Sequence, residues 1–399
     1  MKPIHYLVIF VTLTHMAMAA ARVSVPLHAI HLKASPVVVG ILVGLFAIVP
    51  TLLSVAIGRM VDRVGTRTPL VVFVLLMVAG LVPPWLWPDS LLPLFFTGLL
   101  VGGACFALLI VHTALTGFYS KPEDRATNFA LISMGYATSN GVGPLLAGFS
   151  IDHAGYSLTY LLLMLLPVAG LVLFLAGVLP QRGPAVVQAR GTAKRSVMEL
   201  WRDPRMGPIF MIGIYFMLLW DIFMVMTPIH GAQLGISASE IGIIMGTFSA
   251  AAFIVRAFVA PLSRRFTPLQ LLLISQTFGA GAMLFFGVAN TTVLLVVAAF
   301  AMGMGNGLGG PMVTTALFDA SPPDRVSEAT GLRMSVGMAC QAILPLLMGA
   351  VASLVGVGVL FWLVAAVLGF GVWQYRGQWH VDLRAKTAAG NITREGGKK

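Results

Sequence analysis

Long apolar runs alternate with short polar breaks from residue 4 to residue 376. Twelve such runs can be marked, near 4–32, 36–60, 69–87, 91–118, 125–151, 155–179, 205–232, 238–263, 269–288, 292–318, 326–353 and 357–376. Each is close to the ~20 residues that an α-helix needs to cross a bilayer. None shows the strict alternation of a membrane strand, so each segment satisfies its backbone hydrogen bonds as a helix. A polar stretch over 180–204 divides the runs into six and six. Within it the apolar patch Val197–Trp201 predicts a short surface helix. After Arg376 the chain turns polar and is expected to be disordered.

The pattern also repeats. Phe118-Tyr119-Ser120-Lys121-Pro122-Glu123-Asp124-Arg125 returns as Phe318-Asp319-Ala320-Ser321-Pro322-Pro323-Asp324-Arg325. Pro144-Leu145-Leu146-Ala147-Gly148 returns as Pro345-Leu346-Leu347-Met348-Gly349. Pro26-Leu27-His28 is echoed by Pro228-Ile229-His230, and Gly40 and Gly44 by Gly242 and Gly246. The expected fold is an all-α membrane protein of twelve transmembrane helices. Residues 1–179 and 205–376 form two pseudo-symmetric six-helix bundles around a central cavity, 180–204 the linker and 377–399 the tail. Membrane transporters build their sites at such a repeat interface.

Composition agrees with lipid as the solvent. The chain is 58% hydrophobic and 10% charged, with a mean hydropathy of +0.92; soluble domains carry roughly 25% charged residues. The net charge of +11 is unevenly placed. Arg59, Arg63 and Arg67 follow the second run, Lys121 and Arg125 the fourth, and Arg182, Arg190, Lys194, Arg195, Arg202 and Arg205 fill the linker. Arg264, Arg265 and Arg325 fall in later loops of the same parity, and Arg384, Lys386, Arg394, Lys398 and Lys399 in the tail. The opposite loops carry essentially Lys33 alone. This asymmetry sets both termini in the cytoplasm of a multi-pass protein, in a bacterial-type inner membrane. It accounts for the basic excess without nucleic acid as a partner. The start, from Lys2 to Ala17-Met18-Ala19, has the look of a cleavable leader. It continues into the repeated Pro26-Leu27-His28 and is expected to belong to the fold. Cys105 and Cys340 lie inside apolar runs and suggest neither a disulfide nor a metal site.

Gly58-Arg59-Met60-Val61-Asp62-Arg63-Val64-Gly65-Thr66-Arg67 resembles the G-x-x-x-D-R-x-G-x-R loop of the major facilitator superfamily. The resemblance implies an alternating-access transporter of two six-helix bundles. It also implies that Gly58, Asp62, Arg63, Gly65 and Arg67 hold the cytoplasmic side shut. A carboxylate beside a helix N-terminus is favoured by the dipole, and an arginine fork can pair with it. The plainer alternative is a loop that only sets topology. The second half keeps Ser263-Arg264-Arg265 without an acid. Gly141-Val142-Gly143-Pro144-Leu145-Leu146-Ala147-Gly148 resembles the G-P-x-x-G-G segment of the superfamily's antiporters, with Ala147 and Ser139 where glycines are expected. It points to efflux, or to a close-packed kink. The arginine that many such antiporters carry in the fourth span is missing; His112 stands there instead.

Ionisable groups inside spans are costly and mark function. Asp221 is the carboxylate near the middle of a span. Aligning Pro26-x-His28 with Pro228-x-His230 sets Asp221 opposite Ala19 and Met224 opposite Arg22. Positions three apart share a helix face, so Arg22 and Asp221 are expected at similar depth on equivalent faces. The resemblance puts both spans on the cavity. There Asp221 would carry the coupling proton, and its loading would release Arg22 to bind an anion; a fixed ion pair is the alternative. Arg256 and Arg333 each lie about eight residues from a span end, roughly 12 Å along a helix. With Arg22 they would make the cavity positive and suit an anionic or zwitterionic substrate; snorkelling to the interface is the alternative. Asn140, Asn306 and Gln341 are candidates to orient substrate or to bond between helices. Tyr136 and Trp220 are candidate pocket walls. His15, His28 and His31 crowd the first run, with no acidic or cysteine ligand to make a metal site.

The leading expectation is a proton-coupled antiporter, monomeric, exporting a small organic solute that is anionic or amphiphilic. An uptake symporter or exchanger for organic anions is the rival. No P-loop, paired carboxylates or nucleophile–base set appears, so neither ATP, a cofactor nor an enzymatic activity is expected.

Overall fold

A computed structural model describes residues 3–120, 125–176, 197–256, 258–321 and 326–396. These residues form thirteen α-helices: α1 (Pro3–His31), α2 (Pro36–Val64), α3 (Arg67–Leu86), α4 (Leu92–Tyr119), α5 (Arg125–Leu175), α6 (Val197–Arg202), α7 (Gly207–Gln233), α8 (Ala238–Arg256), α9 (Val259–Arg265), α10 (Pro268–Phe286), α11 (Thr292–Ala320), α12 (Val326–Val355) and α13 (Val357–Gly396). Eleven are long and apolar enough to cross a membrane; α6 and α9 are too short. The 51-residue α5 bends at Gly155, whose φ of 75° and ψ of 174° suit a residue without a Cβ. Its two arms correspond to the fifth and sixth expected spans, with Asp152 and His153 exposed at the bend.

Two boundaries differ from expectation. The eighth apolar run is interrupted: α8 ends at Arg256 and α9 begins at Val259. Pro261, the third residue of α9, has no backbone N–H to give to a continuous helical ladder. The helix α13 runs on past Arg376, the expected end of the last span, to Gly396. The Ala, Gln, Leu, Arg and Lys content of that stretch, without proline, favours helix once α13 has nucleated one. The expected linker helix is present as α6, where Trp201 stacks on Phe210 at 5.4 Å. The linker before residue 197 lies outside the described residues.

The helices sort into two compact units. The first takes residues 1–193, 223–249 and 341–357; the second takes 194–222, 250–340 and 358–399. The first unit therefore holds α1–α5 together with portions of α7, α8 and α12.

Inside the first unit the repeated glycines have a physical role. A Cβ on Gly40 of α2 would stand 2.5 Å from the Pro345 carbonyl oxygen of α12, and one on Gly349 would stand 2.5 Å from that of Pro36. The repeat-related set does the same between α5 and α8. A Cβ on Gly242 would stand 2.6 Å from the Pro144 carbonyl oxygen, and one on Gly148 would run into the Ala238 carbonyl. Two backbone-to-backbone crossings, α2 on α12 and α5 on α8, are thus related by the sequence repeat. Small residues permit such approach in lipid, where dispersion contacts hold helices together.

The far end of α1 is pinned by aromatic and polar contacts. His28 Nε2 lies 2.7 Å from the Pro88 carbonyl oxygen, which can only accept. The neutral ring therefore carries its proton on Nε2, and Nδ1 faces the Tyr160 hydroxyl at 3.4 Å. Tyr156 stacks on His28 at 4.3 Å and donates to the Leu27 carbonyl. Replacing His28 with Ala leaves Tyr160 and Pro88 unmatched beside a cavity. A loss of about 2–4 kcal/mol in denaturant unfolding of the solubilised protein is expected. A loss below ~0.5 kcal/mol would show these contacts to be incidental.

In the second unit, α10 and α11 pack along Ser275, which donates to the Gly305 carbonyl at 2.6 Å. Gln276 donates to the Ile212 carbonyl of α7 at 3.1 Å. A capping box of Thr267 and Gln270 starts α10.

Candidate functional site

In the first unit, α1 presents His15 and Arg22 seven residues apart, two turns along one face. Arg22 is half-buried with its Nε enclosed, and it lies within electrostatic reach of His15 and of Cys105 on α4. Tyr136 on α5 meets His15 edge-on at 4.9 Å, with its hydroxyl buried. His112 on α4 is buried, with Phe10 against it edge-on at 5.2 Å. Asn140, one turn beyond Tyr136, is half-buried, and its carbonyl accepts from Ser249 of α8 at 2.9 Å. Gln341 on α12 is half-buried. The structure thus gathers the expected Arg22 and Tyr136 around His15, a residue that the sequence singled out only for crowding its span.

In the second unit, Asp221 is fully buried at 0% exposure, and Cys340 of α12 lies within its electrostatic reach. Trp220 beside it is half-buried. Asn306 on α11 is buried with Oδ1 unmatched, as is Oε1 of Gln276. Arg333 is half-buried with its Nε enclosed. Arg256 is exposed and is the last residue of α8, where its charge complements the helix dipole. That placement follows from the break before α9. An apolar groove of about 550 Å³ is lined by Val255, Phe258, Leu262, Ile274, Phe278 and Met304 among others, with Arg265 at its edge.

The motif after the second span is more helical than a loop. Since α2 runs to Val64, Gly58, Asp62 and Arg63 are helical, and Gly65 and Thr66 make the turn into α3. Gly65 adopts φ 77° and donates its N–H to the Val61 carbonyl at 2.9 Å. Asp62 sits in the last turn of α2, the negative end of its own helix; the positive end is that of α3, starting at Arg67. Arg63 and Arg67 are exposed. The side chain of Asp62 lies outside the described residues, so its pairing is a proposal.

One further site had little signal in the sequence. Asp152, at the bend of α5, accepts from the backbone N–H groups of Ala238 at 3.1 Å and Ser239 at 2.6 Å, the first residues of α8. Ser237 and Glu240 complete the cap: Glu240 Oε2 accepts from the Ser237 N–H at 3.1 Å, and Ser237 Oγ from the Glu240 N–H at 3.3 Å. All four N–H groups at this helix start are matched, two of them by a carboxylate from another helix. The sequence clue was only that Asp152 lies one turn beyond Gly148. Replacing Asp152 with Ala should weaken the α5–α8 contact by about 1 kcal/mol, as for a lost N-cap. Spin labels at His153 and Ser237 would read this as a modest rise in the long-distance population; an unchanged distribution would remove the carboxylate from the contact.

The profile described as Major Facilitator Superfamily matches residues 7–233 and 209–378. The chain belongs to the major facilitator superfamily. Solved structures share the fold at low identity. A bacterial homologue of the human lysosomal transporter Spinster, in an inward-facing and occupied conformation, superposes with a TM-score of 0.77 at 14% identity, covering 93% of this chain and 95% of that one. A POT family transporter in complex with 5-aminolevulinic acid gives 0.79 at 12%, covering 94% and 96%. A mutant of the nucleoside transporter NupG gives 0.77 at 14%, covering 94% and 99%. No curated protein sequence matches the chain. As a major facilitator protein it is a secondary transporter of the multi-pass membrane type and not an enzyme. The two-bundle architecture expected from the repeat is that of this family.

Proposed function

We propose that the protein exchanges protons for a small organic solute, anionic or amphiphilic, by alternating access, with export as the leading direction. The carrying observation is Asp221, a carboxylate wholly shielded from solvent inside α7. The balance between the ionised and protonated acid in such a place depends strongly on whether water and counter-charge reach it. A carboxylate whose access to water alternates would take up a proton on one side and give it up on the other. Arg22 and Arg333, each with an enclosed Nε, supply positive charge for an anionic group. Arg63, Arg67 and Asp62 would close the cytoplasmic side.

The rival reading is uptake of an organic anion with protons. Those two arginines favour it, and the export argument from the Gly143-Pro144 segment is weakened by its use in helix packing. One experiment separates them. Liposomes containing the protein and a pH-sensitive dye are loaded with a candidate anion and diluted, so that solute leaves down its gradient. Exchange drives protons inward and acidifies the lumen; cotransport carries protons out and makes it alkaline. Solute loss with no protein-dependent pH change, across candidates that the protein does move, would rule out proton coupling.

A further inference from the structure

The apolar groove of about 550 Å³ beside the α8–α9 junction belongs wholly to the second unit. Buried Val255 and Leu308 form its floor, and exposed Phe258, Pro261 and Phe278 its rim. The helices around it are tightly packed. A Cβ on Gly307 of α11 would run into Ala252 of α8, and one on Gly305 would stand 2.8 Å from the Ser275 carbonyl oxygen of α10. The groove is therefore a shaped surface and not a gap between loose helices. Its volume is that of a small-molecule site, about 300–1,000 Å³.

The groove opens on lipid. Phe278 starts an exposed stripe of α10 that continues through Gly281, Leu284 and Phe285. On α11 the exposed residues Val293, Val297 and Phe300 lead to Met304, which lines the groove. Apolar stripes at helical spacing face hydrocarbon and not a water-filled cavity. The depth is that of one leaflet. Arg265 stands at the groove's edge, just before α10 begins at Pro268. From Pro268 to Phe278 is roughly 15 Å of helix, half of a ~30 Å hydrocarbon core. One end thus carries a guanidinium at headgroup level, on the side that the basic loops assign to the cytoplasm, and the other reaches toward the bilayer midplane.

The charge at that end is positive. From Ile241 to Phe318 the chain carries Arg256, Arg264 and Arg265 and no carboxylate. The acids of the four lining helices are Glu240, in the first turn of α8 and so at its far end, and Asp319. Asp319 lies roughly 16 Å of helix beyond Leu308.

We propose that the groove binds one anionic phospholipid of that leaflet, with an acyl chain in the groove and the phosphate against Arg265. The guanidinium fork suits a phosphate. A zwitterionic lipid would bring an ammonium group toward the same arginines, so the site selects headgroups by net charge. The inference does not rest on the transport reading; it requires only that the chain sit in a bilayer.

The test places the full-length protein in nanodiscs of mixed phosphatidylglycerol and phosphatidylcholine. A trace of one or the other lipid carries a diazirine in the middle of one acyl chain. After irradiation, mass spectrometry compares labelling of peptides from residues 252–308 with labelling of the other apolar helices, which cancels the bulk lipid ratio. The glycerol probe should exceed the choline probe by about fivefold at the groove, equivalent to the ~1 kcal/mol that one basic residue gives an anionic lipid. Arg265→Gln should abolish the preference, Arg265→Lys should keep most of it, and high salt should shrink it. Met304→Trp, which fills the groove, should lower labelling there by both probes. Equal labelling by the two probes in the parent protein would overturn the site. So would a preference that survives Arg265→Gln, or labelling that Met304→Trp leaves unchanged.

Discussion

Replacing Asp221 with Asn should abolish pH-driven flux in proteoliposomes, to the level of protein-free vesicles, while the protein folds and still binds its solute. Asparagine has almost the shape of aspartic acid and cannot ionise, so it imitates the protonated state permanently. A fully enclosed carboxylate is held against a desolvation cost of several kcal/mol. An unchanged elution profile and retained solute binding separate this outcome from simple unfolding. Solute exchange down its own gradient should persist at comparable rate, because that mode needs no change of protonation. Binding should also lose whatever pH dependence Asp221 gives it. Asp221→Glu should keep part of the driven flux. Full coupled transport in the asparagine variant would take Asp221 out of the mechanism and turn attention to the buried histidines, among them His28, His112 and His230.

How much of this could be read from the chain follows from what lipid does to a sequence. Span length is set by bilayer thickness, so the apolar runs announced nearly every long helix. The repeat located the glycines of the two crossings before any contact was known. Which face of a helix is interior could not be read, because lipid is as apolar as a core. Leu52 is 73% exposed and Phe253 52%, while Leu7 and Phe10 are fully buried; hydropathy does not separate them. The division between α8 and α9 was hidden because proline is tolerated inside α1, α2, α5, α7 and α12, so Pro261 gave no warning. Asp221 and Arg22 were conspicuous as charges in apolar runs. His15, His112 and Gln276 were not, since their importance lies in which neighbours they meet across helices. Asp152 carried no signal of its own in the sequence, and only its reach to α8 gives it a role.

The two repeat-related crossings make the other large prediction. Gly242→Val and Gly40→Val each put a branched side chain where even a Cβ would stand 2.6 or 2.5 Å from a carbonyl oxygen of the opposing helix. The backbone must move apart, and overpacking of this kind costs about 1–3 kcal/mol. Each 1.4 kcal/mol is a factor of ten in a conformational equilibrium. A single substitution should therefore shift the population with that crossing closed by about five- to a hundredfold. The sites lie on different helix pairs, so their costs should add in the double variant. Spin labels at His153 and Ser237 report the α5–α8 crossing, and labels at Val37 and Ser353 the α2–α12 crossing. In Gly242→Val the first pair should lose its short-distance population, and in Gly40→Val the second. Gly→Ala at either position should fall between, since its single methyl already meets the carbonyl. If both valine variants keep the distance distributions of the parent protein and its transport rate, the glycines are not needed for close approach. In that case the repeat would preserve them for some reason other than the seal between these helices.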